Sequence, residues 1–227
     1  MVRALRRSAA VIEGRWYLHA ARRYPRSVNS STPGAVALER AVRERGRVEG
    51  SLVKVDDFLN HQVDPVLLDL IGQDIAARWS GDRVDLVVTA EASGIPPALT
   101  AARSLAVPMV YAKKYPRTTS ERPAFVREVA SPTKGAEYRV EIARRMLPEG
   151  RRVLVVDDFL SGGRTAEALG EIIEEAVCTV VGFAFVIEKT FVDGRSRLLA
   201  RGWRVDSLVR VTSVEDGLEL SLDPGGG

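Results

Sequence analysis

The sequence predicts one α/β domain: a central, mainly parallel sheet flanked by helices. Three observations predict it. Short continuous apolar runs occur at Leu86 to Thr89, Met109 to Ala112, Val153 to Val156, Val180 to Ile187 and Val205 to Val211. Strands that are apolar at every position, rather than at every second one, are covered on both faces, as parallel strands are. The runs are separated by stretches of helical period over Pro96 to Leu105, 164–177 and 194–201, which can carry the crossovers that parallel strands need. The length of 227 residues suits one such domain and little more.

The elements before the first long apolar run are shorter. Val36, Ala37, Leu38, Ala41, Val42 and Arg45 predict a short amphipathic helix that starts near Val36 and ends at Gly46. Leu52-Val53-Lys54-Val55 reads as a short strand. Asp64 is placed to cap a second helix, with Pro65 at its first position and Leu67, Leu68, Ile71, Ile75 and Ala76 on one face. Residues 115–142 break the strand–helix rhythm. They are polar, carry Pro116, Pro123 and Pro132, and are expected to form a mobile flap with two weak strands. The last four residues, 224–227, read as a disordered tail.

Composition excludes several classes. The chain is 45% apolar with charge interspersed, and no run of about 18 apolar residues occurs, so no membrane span is expected. One cysteine, Cys178, excludes an intramolecular disulfide; it reads as buried filler and fits a reducing, cytoplasmic compartment. The net charge of +3 is unevenly spread. Residues 1–35 hold seven arginines and the single acid Glu13, a charge of +6, which leaves −3 for the rest. This extension is Arg- and Ser-rich like a transit peptide but lacks the apolar core of a secretory signal. It is read as a disordered tail or a misassigned start, with residues 36–223 as the domain. Since the basic charge belongs to the extension, nucleic acid is not an expected partner.

The chemistry is concentrated in Val153-Leu154-Val155-Val156-Asp157-Asp158-Phe159-Leu160-Ser161-Gly162-Gly163-Arg164-Thr165. An apolar strand ends in two carboxylates, and a small-residue loop then opens a helix. Ligands of open α/β sheets sit at the carboxyl ends of strands. A helix N-terminus offers free N–H groups and the positive end of a dipole, which suit a phosphate. Gly162 and Gly163 let the backbone come close to that phosphate, and Thr165 adds a hydroxyl. The carboxylates can accept hydrogen bonds from a ribose diol. A helix cap alone needs one acid, not two. No Gly-Lys-Ser/Thr follows, which excludes a P-loop, and the glycine spacing is not that of a dinucleotide fold. A second strand enters a similar turn at Glu91-Ala92-Ser93-Gly94, where backbone N–H groups again face an anion site. A third strand ends in Lys113-Lys114. Only five residues are lysine, so two adjacent ones at a strand end stand out from the composition.

The first segment resembles the signature by which type I phosphoribosyltransferases bind phosphoribosyl pyrophosphate (PRPP). The resemblance implies that Asp157 and Asp158 hold the ribose hydroxyls. Ser161, Gly162, Gly163, Arg164 and Thr165 would hold the 5′-phosphate, and Ala92, Ser93 and Gly94 the pyrophosphate, aided by Lys113 and Lys114. A narrower resemblance, over about Val36 to Leu222, is to the xanthine-specific members of the family. It rests on Leu52 to Pro65, on Glu91-Ala92-Ser93-Gly94-Ile95 and on Val186-Ile187-Glu188-Lys189-Thr190-Phe191. It implies a hood built from 36–64 with 186–222, in which Val53, Asn60 and Lys189 meet the purine. A lysine suits a carbonyl or anionic oxygen of xanthine, and an amide suits alternating N–H and C=O. Phe159 could stack on the purine. His61 has no evident partner and reads as a rim residue. The loop Ser161 to Thr165 departs from those enzymes, whose loop contains an amide and lacks the threonine.

These expectations describe an enzyme that transfers the phosphoribosyl group of PRPP to xanthine, with Mg2+ bound mainly through PRPP and no dedicated metal site in the protein. A homodimer is implied by the resemblance alone. The alternatives are a hypoxanthine/guanine or adenine phosphoribosyltransferase, and a non-catalytic PRPP-sensing regulator.

Overall fold

The computed structural model describes residues 32–116, 123–130, 137–215 and 217–225. Its elements begin with helix α1 (Pro33–Arg45), the hairpin β1 (Arg47–Glu49) and β2 (Leu52–Lys54), a π-helical turn (Asp56–Asn60) and α2 (Pro65–Arg78). Then come β3 (Leu86–Ala90), α3 (Ile95–Leu105), β4 (Met109–Pro116), β5 (Ala124–Ala130) and β6 (Glu137–Ala143). The remainder is β7 (Arg152–Leu160), α4 (Arg164–Glu175), β8 (Thr179–Lys189), α5 (Gly194–Leu199), β9 (Val205–Ser213) and β10 (Glu219–Leu222).

Eight strands form one sheet in the order β10-β9-β8-β7-β3-β4-β6-β5. The five from β9 to β4 run parallel, as the continuous apolar runs predict. Both faces are covered. Leu154 and Val156 of β7 face a core made with α1, α2 and α3, while Val153 and Val155 face a second core with α4 and Leu198 of α5. Period-two alternation into two cores is what makes the strand read as apolar throughout. The second helix is capped as its sequence implies: the Asp64 carboxylate accepts from the Leu67 N–H at 3.2 Å.

The structure differs from expectation at both margins of the sheet. The first helix starts at Pro33, not Val36. Gly34 packs against the Leu70 carbonyl and Ala35 is fully buried, so Thr32 to Ala35 adjoin the body rather than the extension. Residues 1–31 lie outside the described residues. Most of residues 186–222 extend the main sheet rather than standing apart from it: β9 and the antiparallel β10 continue the sheet beside α1, where Arg43 Nη2 donates to the Leu220 carbonyl at 3.5 Å, and Lys189 reaches the hairpin, donating to the Ser51 carbonyl at 3.1 Å. In the flap segment, β5 and β6 pair over seven residues and lengthen the sheet beyond β4. Residues 117–122 and 131–136, which connect these strands, lie outside the described residues, as do 226–227 of the tail.

Candidate active site

The site lies at the carboxyl ends of β7, β3 and β4, where an open parallel sheet binds ligands. A cleft of about 480 Å3 is lined by Asp157, Asp158, Phe159, the loop 161–165, Lys114 and Tyr138, with Arg197 at its side. Apolar contacts with both cores fix β7, so the two carboxylates at its end are held on a rigid strand.

Asp157 and Asp158 are neighbours on one strand and make different contacts. A Cβ on Gly94 would collide with Asp157 Oδ1 and Thr89 Oγ1, so only glycine lets the second loop lie this close to the acid. Asp157 Oδ1 also accepts from the Asp158 N–H at 3.0 Å. Burial, and then the Asp158 charge, hold the Asp157 carboxyl well above the ordinary aspartate range; Lys114 opposes them. Asp158 turns to the hairpin side, where Asn60 Nδ2 donates to its Oδ2 at 3.4 Å. The Asn60 Oδ1 atom is buried and receives no hydrogen bond among the described residues.

The loop after β7 opens α4 at Gly163, whose φ of +71° suits glycine. Gly163 packs on Gly194, the first residue of α5, and a Cβ on Gly194 would collide with the Ser161 carbonyl. The first turn of α4 thus presents its free N–H groups into the cleft. Thr165 and Tyr138 share a hydrogen bond of 2.7 Å, which joins this loop to β6 of the flap.

The lysines divide. Lys114 lines the cleft with its ammonium 5.6 Å from the centre of the Tyr138 ring. Its N–H donates to Glu91 Oε1 at 2.7 Å, which ties the second loop to β4. Lys113 is exposed and, by strand alternation, projects to the other side. On the hairpin side, the Lys189 ammonium stands 5.9 Å from the centre of the Phe159 ring, and burial lowers its pKa. Asn60, Phe159 and Lys189 therefore connect to the same strand end. Val53, on β2 of the hairpin, is buried in the core and does not line the cleft. Within the second loop, Ala92 is exposed and Ser93 half-buried; neither lines the cleft. His61 is exposed.

Sequence reasoning missed Arg197. Its Nε donates to the Gly162 carbonyl at 2.9 Å and its Nη1 to Glu167 at 3.1 Å. No local pattern marks it, because α5 meets the loop only through the fold.

Fold and site together define a phosphoribosyltransferase of type I, and the chain belongs to that family. Residues 68–213 match the phosphoribosyl transferase domain. A xanthine phosphoribosyltransferase of Chloroflexus aurantiacus is 43% identical over 182 residues, covering 80% of this chain and 86% of that protein. One of Pseudomonas entomophila is 44% identical, covering 82% and 99%. Among solved structures, adenine phosphoribosyltransferase of Thermoanaerobacter pseudethanolicus superposes with a TM-score of 0.57 at 26% identity, covering 65% of this chain and 82% of that one. The Rhodothermus marinus adenine enzyme gives 0.65 at 24% identity, covering 80% and 100%, and shows the shared fold.

Proposed function

We propose that this chain transfers the 5-phosphoribosyl group of PRPP to xanthine, giving xanthosine 5′-monophosphate (XMP) and pyrophosphate. The observation that carries the reading is a single cleft in which an acid pair, a glycine loop at a helix N-terminus and Lys114 meet. Asn60 and Lys189 adjoin that strand end through Asp158 and Phe159. Relatives at 43–44% identity that carry the xanthine name support the choice of base.

In this reading the loop 161–165 takes the 5′-phosphate, Asp157 and Asp158 take the ribose hydroxyls, and Lys114, with the 92–94 turn beside it, takes the pyrophosphate; Lys113, on the other side of β4, has no part in the cleft. The buried, unfilled Asn60 Oδ1 accepts a purine N–H. Lys189 meets a purine carbonyl or anionic oxygen, Phe159 stacks on the ring, and Val53 backs the hood. The bond from ribose C1′ to pyrophosphate oxygen breaks, a bond from C1′ to a purine ring nitrogen forms, and the purine proton passes to solvent. Positive charge grows on the sugar as in glycoside cleavage, so the carboxylates lie where they stabilise it. No covalent nucleophile is required, because the protein positions two substrates and stabilises charge.

Asp157, Asp158 and Asp193 line the cleft, and among the described residues no group of three Asp, Glu, His or Cys side chains is placed to hold a metal ion. Asp157 and Asp158 would stand beside a Mg2+ ion brought in mainly through PRPP. When bound, the ion neutralises charge on the departing pyrophosphate. Among the described residues no helix is long and apolar enough to cross a membrane, and Cys178 is a buried free thiol, which supports a cytoplasmic enzyme. A homodimer is part of the same reading.

The test is product formation. Purified protein with PRPP, Mg2+ and xanthine should yield XMP and pyrophosphate in equal amounts, read by chromatography. PRPP hydrolysis without XMP, or no turnover, overturns the reading.

A further inference from the structure

The phosphate loop carries two adjacent glycines, Gly162 and Gly163, and the peptide between them is free to flip because neither has a side chain to hinder it. The two ends of this peptide are secured differently. Gly163 is packed: an added Cβ would sit 3.0 Å from Gly194. Gly162 is not, since an added Cβ there would meet nothing within 4 Å. What holds that side is the hydrogen bond of 2.9 Å from Arg197 Nε to the Gly162 carbonyl.

The carbonyl and N–H of a trans peptide point in opposite directions. Holding the Gly162 carbonyl on the Arg197 guanidinium therefore aims the Gly163 N–H away from that guanidinium, and both residues line the cleft at the start of α4. The flipped peptide would instead present a carbonyl oxygen, which repels a phosphate. The Arg197 guanidinium is in turn held by Glu167 on α4 at 3.1 Å, and it lines the cleft, so its charge adds to the helix N-terminus. Its side chain is 35% exposed, and it stands apart from the buried core on which folding depends.

We propose that Arg197 is a positioning residue for 5′-phosphate recognition: by clamping the Gly162 carbonyl it fixes the loop in its anion-binding orientation. This rests on the reading that the loop 161–165 takes the 5′-phosphate of PRPP. The role is one of orientation, so its signature is selective. Recognition of the phosphate-bearing substrate should suffer while recognition of the free base does not.

The experiment compares wild type, Arg197→Gln, Arg197→Lys and Glu167→Gln. For each, the Michaelis constants for PRPP and for xanthine, calorimetric binding of XMP, and Tm are measured. Arg197→Gln should raise the PRPP constant and weaken XMP binding about ten-fold or more, the loss of one charge-assisted hydrogen bond. The xanthine constant should stay within about two-fold, because no other contact of Arg197 involves the residues around Asn60 and Lys189. Arg197→Lys should recover part of the PRPP loss, since an ammonium can donate to the same carbonyl without the planar fork. Glu167→Gln should move PRPP in the same direction and less. Equal losses for both substrates tracking a fall in Tm, or unchanged PRPP and XMP recognition, overturn the proposal. Should Arg197→Gln fail to fold, the Lys and Glu167 variants decide by the same split. A wild-type protein that binds neither PRPP nor XMP overturns the functional reading itself, whereas a wild type that binds both beside indifferent variants overturns the role of Arg197 alone.

Discussion

At the scale of single residues, the site is built from groups held in states they would not choose in water. Asp157 is the clearest. Its carboxyl is raised well above the ordinary aspartate range by burial and then by Asp158. An acid whose pKa rises on folding weakens the fold as pH climbs from the unfolded value, about 3.9, through the raised folded value. Below that window the penalty is absent. Asp157→Asn should therefore raise Tm of the ligand-free protein at pH 7, with the gap closing as pH falls toward 4, while XMP formation drops by about 100-fold or more. Thermal melts at both pH values check the sign; a variant less stable than wild type at pH 7 contradicts it. Lys189 makes a complementary case on the base side. Its pKa is lowered by burial, it contacts Ser51 O and the Phe159 ring, and it makes no contact with the phosphate loop. Lys189→Ala should raise the Michaelis constant for xanthine roughly ten- to a hundred-fold and leave that for PRPP nearly unchanged. A rise confined to PRPP would assign Lys189 to the phosphate site. Asp157 was legible because it ends an apolar strand before a glycine turn, whereas Lys189 was singled out through the resemblance of Val186 to Phe191 to the xanthine-specific enzymes. Arg197 was not, because its partner Gly162 lies 35 residues away and nothing local to either announces the contact.

At the scale of elements, the sequence is most readable where one pattern has one cause. The parallel strands are apolar because both faces are buried, and their positions agree with the apolar runs to within a few residues. β4 runs further than its apolar stretch because its partner changes: Met109 to Ala112 pair with β3, whereas Lys113 to Pro116 pair with β6 of the flap. An exposed antiparallel edge tolerates polar residues that a central strand would not. β10 was missed although Leu218, Leu220 and Leu222 alternate with Glu219 and Ser221, a period-two signal that its brevity hides. The start of α1 was misplaced because Pro33 and Gly34 read as linker. In the fold, Pro33 occupies the first turn and Gly34 fits where the Leu70 carbonyl leaves no room for a side chain. The Ala35 N–H donates to Asp74 Oδ2 at 2.7 Å, and Asp74 is buried. A chain beginning at Val36 would leave that carboxylate unpaired. It should be less stable than one beginning at Thr32, by about 1–3 kcal/mol, measured by urea unfolding. Equal stability would show that the helix starts no earlier than Val36 in solution.

At the scale of the whole molecule, a buried ionic network ties the end of the chain to the site. Arg195 donates to Glu188 on β8 and to Asp223 after β10, both at 2.6 Å. The two carboxylate side chains are only 2% and 4% exposed. Glu188 precedes Lys189, and Arg195 follows Gly194, which packs on the phosphate loop, so one network borders both the base side and the phosphate side. Arg195→Met would leave Arg210, 3.5 Å from Glu188 and 2.8 Å from Asp223, as the remaining cation of the two buried carboxylates, and should cost about 1–3 kcal/mol, seen as a fall in Tm with both substrates affected. That joint loss separates it from Arg197, whose effect is confined to PRPP. The central claim is that this cleft joins PRPP to a purine with a carbonyl at both the 2 and 6 positions. The most direct measurement is kcat/KM for xanthine, hypoxanthine, guanine and adenine with saturating PRPP and Mg2+. Xanthine should exceed each of the others by about ten-fold or more, the worth of one charge-assisted contact. A preference for adenine, or equal rates with hypoxanthine and xanthine, would contradict the account.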